Sequence, residues 1–385
     1  MLVRRAIHAM VPLLLLLMQG RAALGDDHGV EEDGVLTGPV AVHAAREHLM
    51  NREIDAAEAV LHAAGDTIEV VERLALQGLI ALERNEFEAA AVAFEAVLAE
   101  RPTRTAVWLY LGQARFALGE FDDAIEAFEK GAEVGRNLSG YYLLRARAEL
   151  AVGRPAAAHL VIDEGLQAFP DLAELHREQT IVYLELNLTT EARAAGRRYL
   201  DLARDEPFAW LALAEAHERA GHPEEAVILL EEARLRFPGV LALTSRLAHA
   251  YAQQGRAGAA GRVFASLLWF DPGYAFKAAD QLRVAGAYRA ALRANALILE
   301  VEQKLPQRLA IFTAAERYER ALALEDRLAA AGLRDDPDSL IRLALAALEA
   351  GQPARCLELL DNNLGPHEPT AAALRREARA WERAR

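Results

Sequence analysis

The sequence predicts an all-α fold, an α-solenoid of about ten helix-turn-helix repeats closed by a C-terminal capping helix. The first observation is a period of 34 residues, at which seven alanines recur: Ala56, Ala90, Ala124, Ala158, Ala192, Ala226 and Ala260. Other residue types keep the same frame, as in Gly78 with Gly112 and Phe94 with Phe128. The second observation is that each period holds two apolar runs at helical spacing, separated by a glycine or a polar residue. Each period therefore predicts one helical hairpin.

The first 25 residues are expected to be a cleaved signal peptide. Arg4 and Arg5 precede a mostly apolar stretch, and Ala23-Leu24-Gly25 offers small residues for cleavage before Asp26. The apolar stretch is too short to cross a bilayer of roughly 30 Å. No cysteine stands near the cleavage site, so a lipoprotein anchor is not expected. The sequence thus predicts a periplasmic or secreted protein whose residues 26–36 form an acidic flexible lead-in.

The 34-residue period predicts seven regular repeats in residues 37–274, which begin near 37, 71, 105, 139, 173, 207 and 241. Prolines such as Pro102 and Pro238 stand near position 32 and end the second helix, because proline disfavours helix in the preceding residue. The third unit carries a large residue, Leu-Gly and then aromatic, small and aromatic residues in sequence: Trp108, Leu111, Gly112, Phe121, Ala124 and Phe128. This pattern resembles the tetratricopeptide repeat (TPR) family, and with the signal peptide it indicates an exported bacterial member.

Residues 275–369 predict about three less regular repeats, near 275, 303 and 337. The first helix between Pro272 and Gly286 is about three residues short, and a kink or a seam between two sub-arrays is expected near residues 303–307. The single cysteine, Cys356, occupies the alanine position of its unit, which predicts a buried core residue. Residues 370–385 predict a capping helix with Leu374 and Ala378 on its apolar face.

Composition argues against several classes of function. With 43 basic and 57 acidic residues the net charge is −14, which disfavours binding to nucleic acid or to an anionic membrane. No nucleotide-binding, hydrolase or metalloprotease motif is present. His217 and His222 are five residues apart and would not share a helix face, and Glu316 with Arg320 suggests a solvated face. No enzyme activity, cofactor or metal is expected.

The resemblance implies a right-handed superhelix whose first helices line a groove that binds partners. The groove positions of the front half are mostly apolar, with isolated charges: Ala75, Leu79, Leu82, Leu109, Gln113, Phe116, Leu143, Arg147, Leu150, Arg177, Ile181 and Leu184. Further along, this wall becomes polar through Glu218, Ser245 and His249. An apolar groove suggests a hydrophobic or amphipathic protein segment as the partner. The alternative is that these leucines pack against the next unit and expose little.

The predicted function is an exported scaffold that binds a partner protein, in a cell-envelope or exopolysaccharide-export assembly. Two alternatives stay open at this stage. One is an enzyme whose active site is carried on the repeats, although no convergent set of His, Asp, Ser or Cys supports it. The other is a structural repeat protein whose groove binds no peptide.

Overall fold

The computed structural model describes residues 38–361, 363–364 and 369–384, and within those ranges every regular element is a helix. The expected signal peptide (1–25) and acidic lead-in (26–36) lie outside the described residues. The internal contacts of the chain define two compact units, one ending at Ala216 and the other beginning at His217. The all-α solenoid class predicted from the sequence is confirmed. The handedness stays a prediction.

The first unit is a series of consecutive helical hairpins. They are α1 (Gly38–Met50) with α2 (Ile54–Ala64), α3 (Val70–Glu83) with α4 (Phe87–Glu100), α5 (Thr105–Leu118) with α6 (Phe121–Lys130), the short α7 (Ala132–Gly135), α8 (Ser139–Ala151) with α9 (Pro155–Ala168), and α10 (Ala173–Glu185) with α11 (Thr189–Leu202). Helix α12 (Pro207–Arg219) contains the division between the units. The starts of α5, α8, α10 and α12 are 34 residues apart.

The second unit continues with shorter and less regular helices. They are α13 (Pro223–Arg236), α14 (Leu241–Gln253) with α15 (Ala257–Phe270), α16 (Ala275–Val284) with α17 (Tyr288–Ala296), α18 (Val301–Ala314) with α19 (Tyr318–Leu322) and α20 (Glu325–Ala330), α21 (Pro337–Glu349) with α22 (Pro353–Asp361), and α23 (Pro369–Ala384). As the sequence predicts, α16 has 10 residues where α14 has 13.

A residue in the left-handed region turns the chain within most hairpins. Gly119 has φ 83° between α5 and α6, where glycine meets no steric penalty. Asn85 and Asn187 hold the same kind of position with φ 62° and 58°, and asparagine tolerates this conformation better than most residues. The polar interruptions seen in the sequence therefore mark the turns.

Small residues of the first helix receive aromatic rings of the second helix in the same hairpin. A Cβ added at Gly78 would lie 2.5 Å from Cε1 of Phe94, and one at Gly112 would lie 2.7 Å from Cε1 of Phe128. Each ring also contacts the next hairpin: Phe94 stacks on Tyr110 at 5.5 Å between ring centroids. The glycine therefore allows one ring to join two hairpins in the close packing of a protein interior.

The irregular region after α17 is tied together by buried polar side chains. The Gln307 amide donates to the Phe276 carbonyl at 2.7 Å, and the Asn295 amide donates to Gln307 at 3.2 Å and to the Lys304 carbonyl at 2.9 Å. The division into two units falls at residues 216–217, and not near 303–307 where the sequence suggested a seam. These hydrogen bonds explain the difference, because they join α18 to the hairpin before it.

The C-terminal helix α23 covers the last hairpin as expected, and one of its arginines is buried along with its apolar face. Ala371, Leu374 and Ala378 are buried. Arg375 is also buried, and its guanidinium donates to the carbonyls of Leu360 and Leu364 at 2.7 and 2.6 Å. Arg375 therefore adds hydrogen bonds to backbone carbonyl groups near the end of α22.

Candidate partner-binding groove

Most of the predicted groove residues lie in the core of the first unit. Eight of the twelve are buried: Ala75, Leu79, Leu82, Leu109, Gln113, Phe116, Leu143 and Leu184. Six of the apolar ones belong to the same cluster of buried side chains as Phe94 and Tyr110. For these residues the structure shows the second interpretation left open by the sequence, in which the groove leucines pack within the array. Their contact with a partner remains a prediction.

Four predicted groove residues keep some access to solvent. Leu150 is half-buried and packs against the core cluster. The side chains of Arg147 and Arg177 are 14% and 16% exposed. Ile181 is 38% exposed, which makes it the most accessible apolar residue of the set. The accessible part of this face is thus the segment formed by α8 and α10.

A buried carboxylate holds the two arginines of this face. Oε1 of Glu178 accepts hydrogen bonds from Nη2 of Arg147 at 2.6 Å and from Nη2 of Arg177 at 2.9 Å. Burial acts to lower the pKa of Arg177, but Glu178 and the Tyr199 hydroxyl outweigh it, so the pKa is raised. The Arg177 guanidinium therefore stays charged, and the shared carboxylate holds both guanidinium groups in fixed positions between α8 and α10.

Two of the predicted site residues carry hydrogen-bonding groups that are not used. Gln113 is fully buried, and neither atom of its amide has a hydrogen-bond partner among the residues that the structure describes. Nη1 of Arg147 is also buried, and no acceptor in the described part of the chain reaches it. Most buried polar groups in proteins are paired, so an unpaired amide on a candidate binding face is a reason to look for a ligand.

A second charged cluster joins α1, α3 and α5, and sequence reasoning missed it. Glu72 accepts from Arg46 at 2.8 Å and also from Arg104. Burial lowers the pKa of Arg46 even though Glu72 opposes that effect. The partners are 26 and 32 residues apart in sequence. A search for opposite charges about one period apart could have found them, whereas a search at helical spacing could not.

The polar part of the predicted wall is observed in the second unit. Arg246 donates to Glu218 at 2.5 Å, and the hydroxyls of Ser245 and Tyr274 are 2.6 Å apart. Burial and the nearby Arg246 lower the pKa of His249. This face therefore presents a neutral histidine and an ion pair at neutral pH.

Within residues 38–361, 363–364 and 369–384, no three His, Cys, Asp or Glu side chains come together in a way that could hold a metal ion. In the same part of the chain, no helix combines the length and the apolar character needed to cross a bilayer. Cys356 is buried, as predicted from its alanine position, and burial raises the pKa of its thiol to about 11.

Family models of the tetratricopeptide repeat match three consecutive segments: residues 81–148, 143–207 and 207–250. The chain contains tetratricopeptide repeats. The resemblance read from Trp108, Gly112 and Phe128 is thus confirmed, and TPR repeats are in general protein-interaction scaffolds, not enzymes.

Solved structures of TPR proteins are similar to parts of this chain. A MamA protein is 20% identical, covering 43% of this chain and 91% of its own, with a TM-score of 0.41. A thermophilic TPR protein of Thermus thermophilus is 24% identical over 47% of this chain and 98% of its own, with a TM-score of 0.37. A TPR protein of Parabacteroides merdae is 12% identical over 64% and 97%, with a TM-score of 0.47. No curated protein matches the chain.

Proposed function

We propose that this TPR chain is a noncatalytic scaffold that binds a partner protein through the first-helix face of its first unit. The observation that carries the proposal is the unpaired, fully buried amide of Gln113 on that face. A buried amide without hydrogen bonds costs about 1–3 kcal/mol, and a partner that offers a peptide group to it would recover that free energy.

The accessible residues of the same face define the chemistry of the partner. Ile181 offers apolar contact, and Arg147 keeps one N–H group without an acceptor. An amphipathic segment with a carbonyl or carboxylate group next to an apolar side chain would satisfy both. Because Gln113 is fully buried, the segment makes its first contacts at Ile181 and reaches Gln113 after a local opening of this face.

The test compares Gln113→Leu with Gln77→Leu, a change at an exposed glutamine of another first helix. Replacing an unpaired buried amide by an apolar group of similar size is expected to leave the fold equally stable or more stable. We expect Gln113→Leu to lose partners that the wild-type chain captures by crosslinking in its native envelope, and Gln77→Leu to keep them. Mass spectrometry identifies the captured proteins.

A second variant, Ile181→Glu, tests the same face without touching the core. We expect it to fold normally and to lose the same partners as Gln113→Leu. If both variants capture every wild-type partner with equal yield, this face is not the binding site. The chain would then act as a structural repeat protein as far as its first unit is concerned.

We also propose that the chain is exported and works in a cell-envelope or exopolysaccharide-export assembly. The support is the basic start, the apolar stretch and the small residues before Asp26. Expression of the full chain in a Gram-negative host, followed by fractionation and N-terminal sequencing, tests it. We expect a periplasmic product that begins at Asp26. An uncleaved product in the cytoplasm would contradict export.

A further inference from the structure

The second unit contains an apolar groove between its second helices α15 and α17. The groove encloses about 540 Å³. Small residues of α15 keep it open, namely Gly258, Gly261 and Ala265. A Cβ added at Gly261 would lie 3.1 Å from Cβ of Ala290, so this glycine also allows α17 to approach α15.

Large apolar side chains at the edge of this groove are exposed to solvent. Trp269 is 84% exposed at the end of α15, and Leu297, directly after α17, is 48% exposed. Both side chains line the groove. Exposed aromatic and aliphatic groups beside a concave apolar surface are typical of protein-binding sites.

Three arginines on the lining make no ion pair within the described residues: Arg262, Arg289 and Arg293. Other arginines of the same unit do pair: Arg246 with Glu218 at 2.5 Å and Arg283 with Asp280 at 2.7 Å. Among the described residues that line the groove there is no Asp or Glu, although the whole chain has a net charge of −14. The groove is therefore a local site of positive charge with apolar walls.

We propose that this groove binds an acidic amphipathic helix of a partner protein. Arg289 and Arg293 are four residues apart on α17, so their guanidinium groups lie one helical turn apart and match carboxylates at i and i+4 of a second helix. The apolar face of that helix fills the space over Ala265 and contacts Trp269. The proposal rests on the chain being a protein-binding scaffold, but it uses a different face from the one around Gln113.

The experiment uses the full chain and two designed helical peptides labelled with fluorescein. Both peptides carry leucines on one face; one has glutamates at i and i+4 beside them, and the other has lysines there. We expect the acidic peptide to bind, measured by fluorescence anisotropy, and the basic peptide not to bind. The affinity falls as salt is added, because the guanidinium groups are exposed.

Arg289→Glu combined with Arg293→Glu is expected to weaken binding of the acidic peptide at least about tenfold. The matched control is Arg317→Glu with Arg320→Glu, which makes the same charge change at exposed positions of the same unit and leaves binding unchanged. A second variant, Ala265→Glu, places a carboxylate inside the groove at an exposed helix position and is expected to abolish binding while the circular dichroism spectrum stays the same.

Three outcomes would overturn the proposal: equal binding of the two peptides, no effect of the paired arginine substitutions, or no effect of Ala265→Glu.

A fourth arm uses a peptide of residues 26–36, which contains five acidic residues. If only that peptide binds, the groove serves the chain's own acidic segment and a foreign partner is ruled out. Gln113→Leu is included as well; it leaves peptide binding intact, so failure of this proposal is distinguishable from failure of the first.

Discussion

Cys356 shows how one residue can be interpreted from its place in a repeat. Its position is filled by alanine in seven other units, and its side chain is fully buried. Burial raises the pKa of the thiol to about 11, so the protonated form predominates at all pH values well below that. The residue therefore acts as a small apolar side chain and not as a nucleophile.

We expect the thiol to be unreactive toward Ellman's reagent in the native protein at pH 8 and to react fully in guanidinium chloride. The reason is that the reagent reacts with the thiolate, which is scarce below the raised pKa, and that the sulfur is covered. A native reaction as fast as that of the unfolded chain would contradict the burial of this cysteine.

Gly112 tests whether the glycine in a first helix is needed for the approach of the aromatic ring. Gly112→Ala would place a Cβ 2.7 Å from Cε1 of Phe128, and we expect overpacking to destabilise the fold by about 1–3 kcal/mol in urea unfolding. Combining it with Phe128→Leu should recover part of the loss, since the smaller side chain makes room. If the losses in unfolding free energy caused by the two substitutions simply add, contact with the Phe128 ring is not what destabilises Gly112→Ala.

At the scale of the element, the helices are held together by charge pairs between neighbouring hairpins as well as by packing. The buried pair of Arg147 with Glu178 joins α8 to α10. The exposed pair of Arg154, the residue directly before α9, with Asp122 of α6 has a distance of 2.8 Å. Both separations in sequence are close to one period, at 31 and 32 residues.

We expect Glu178→Gln to destabilise the fold by about 3 kcal/mol, because it leaves Arg147 and Arg177 without the buried carboxylate that compensates their charge. Asp122→Asn should change stability by less than about 1 kcal/mol, since the exposed pair is screened by solvent. Urea unfolding of the two variants measures both values. Equal losses of stability in the two variants would mean that the burial of Glu178 does not determine how much its ion pairs stabilise the fold.

The sequence predicts the hairpins well because their signals are local. Each of these signals depends on residues within one repeat: the period, the interruptions at Asn85 and Gly119, and the contact of Gly78 with Phe94. The exposure of Leu79 or Leu109 could not be predicted in the same way. It depends on how closely one hairpin packs on the next, and a period alone does not specify that distance.

One charge pair that helical spacing predicts is wrong. Glu316 and Arg320 suggested a pair on one helix face, but Glu316 has φ 55° and stands in the turn before α19. The unpaired Arg262, Arg289 and Arg293 gave no signal in the sequence either. Among many exposed arginines, only the structure distinguishes those with a carboxylate beside them from those without.

At the scale of the whole molecule, a repeat protein is expected to lose structure locally, because each hairpin contacts mainly its neighbours. Phe94→Ala removes a ring that is fully buried between α4 and α5, at a cost of about 3–5 kcal/mol. We expect hydrogen exchange to accelerate in α3 to α6, while α21 and α22 keep their protection. Phe208→Ala, at a ring that is 57% exposed, is the matched control. A uniform loss of protection would indicate a single cooperative fold.

The ion pairs between neighbouring hairpins have a consequence for how such a chain can change over evolution. A hairpin that is duplicated and inserted elsewhere would carry its half of each charge pair to a neighbour with a different residue in that place. Glu178 between other hairpins would lack Arg147, and Glu72 would lack Arg46 and Arg104. Apolar positions are nearly interchangeable between repeats, but the paired charges are not. The charge pairs therefore restrict which hairpins can be neighbours, and so they constrain the order of the hairpins along the chain.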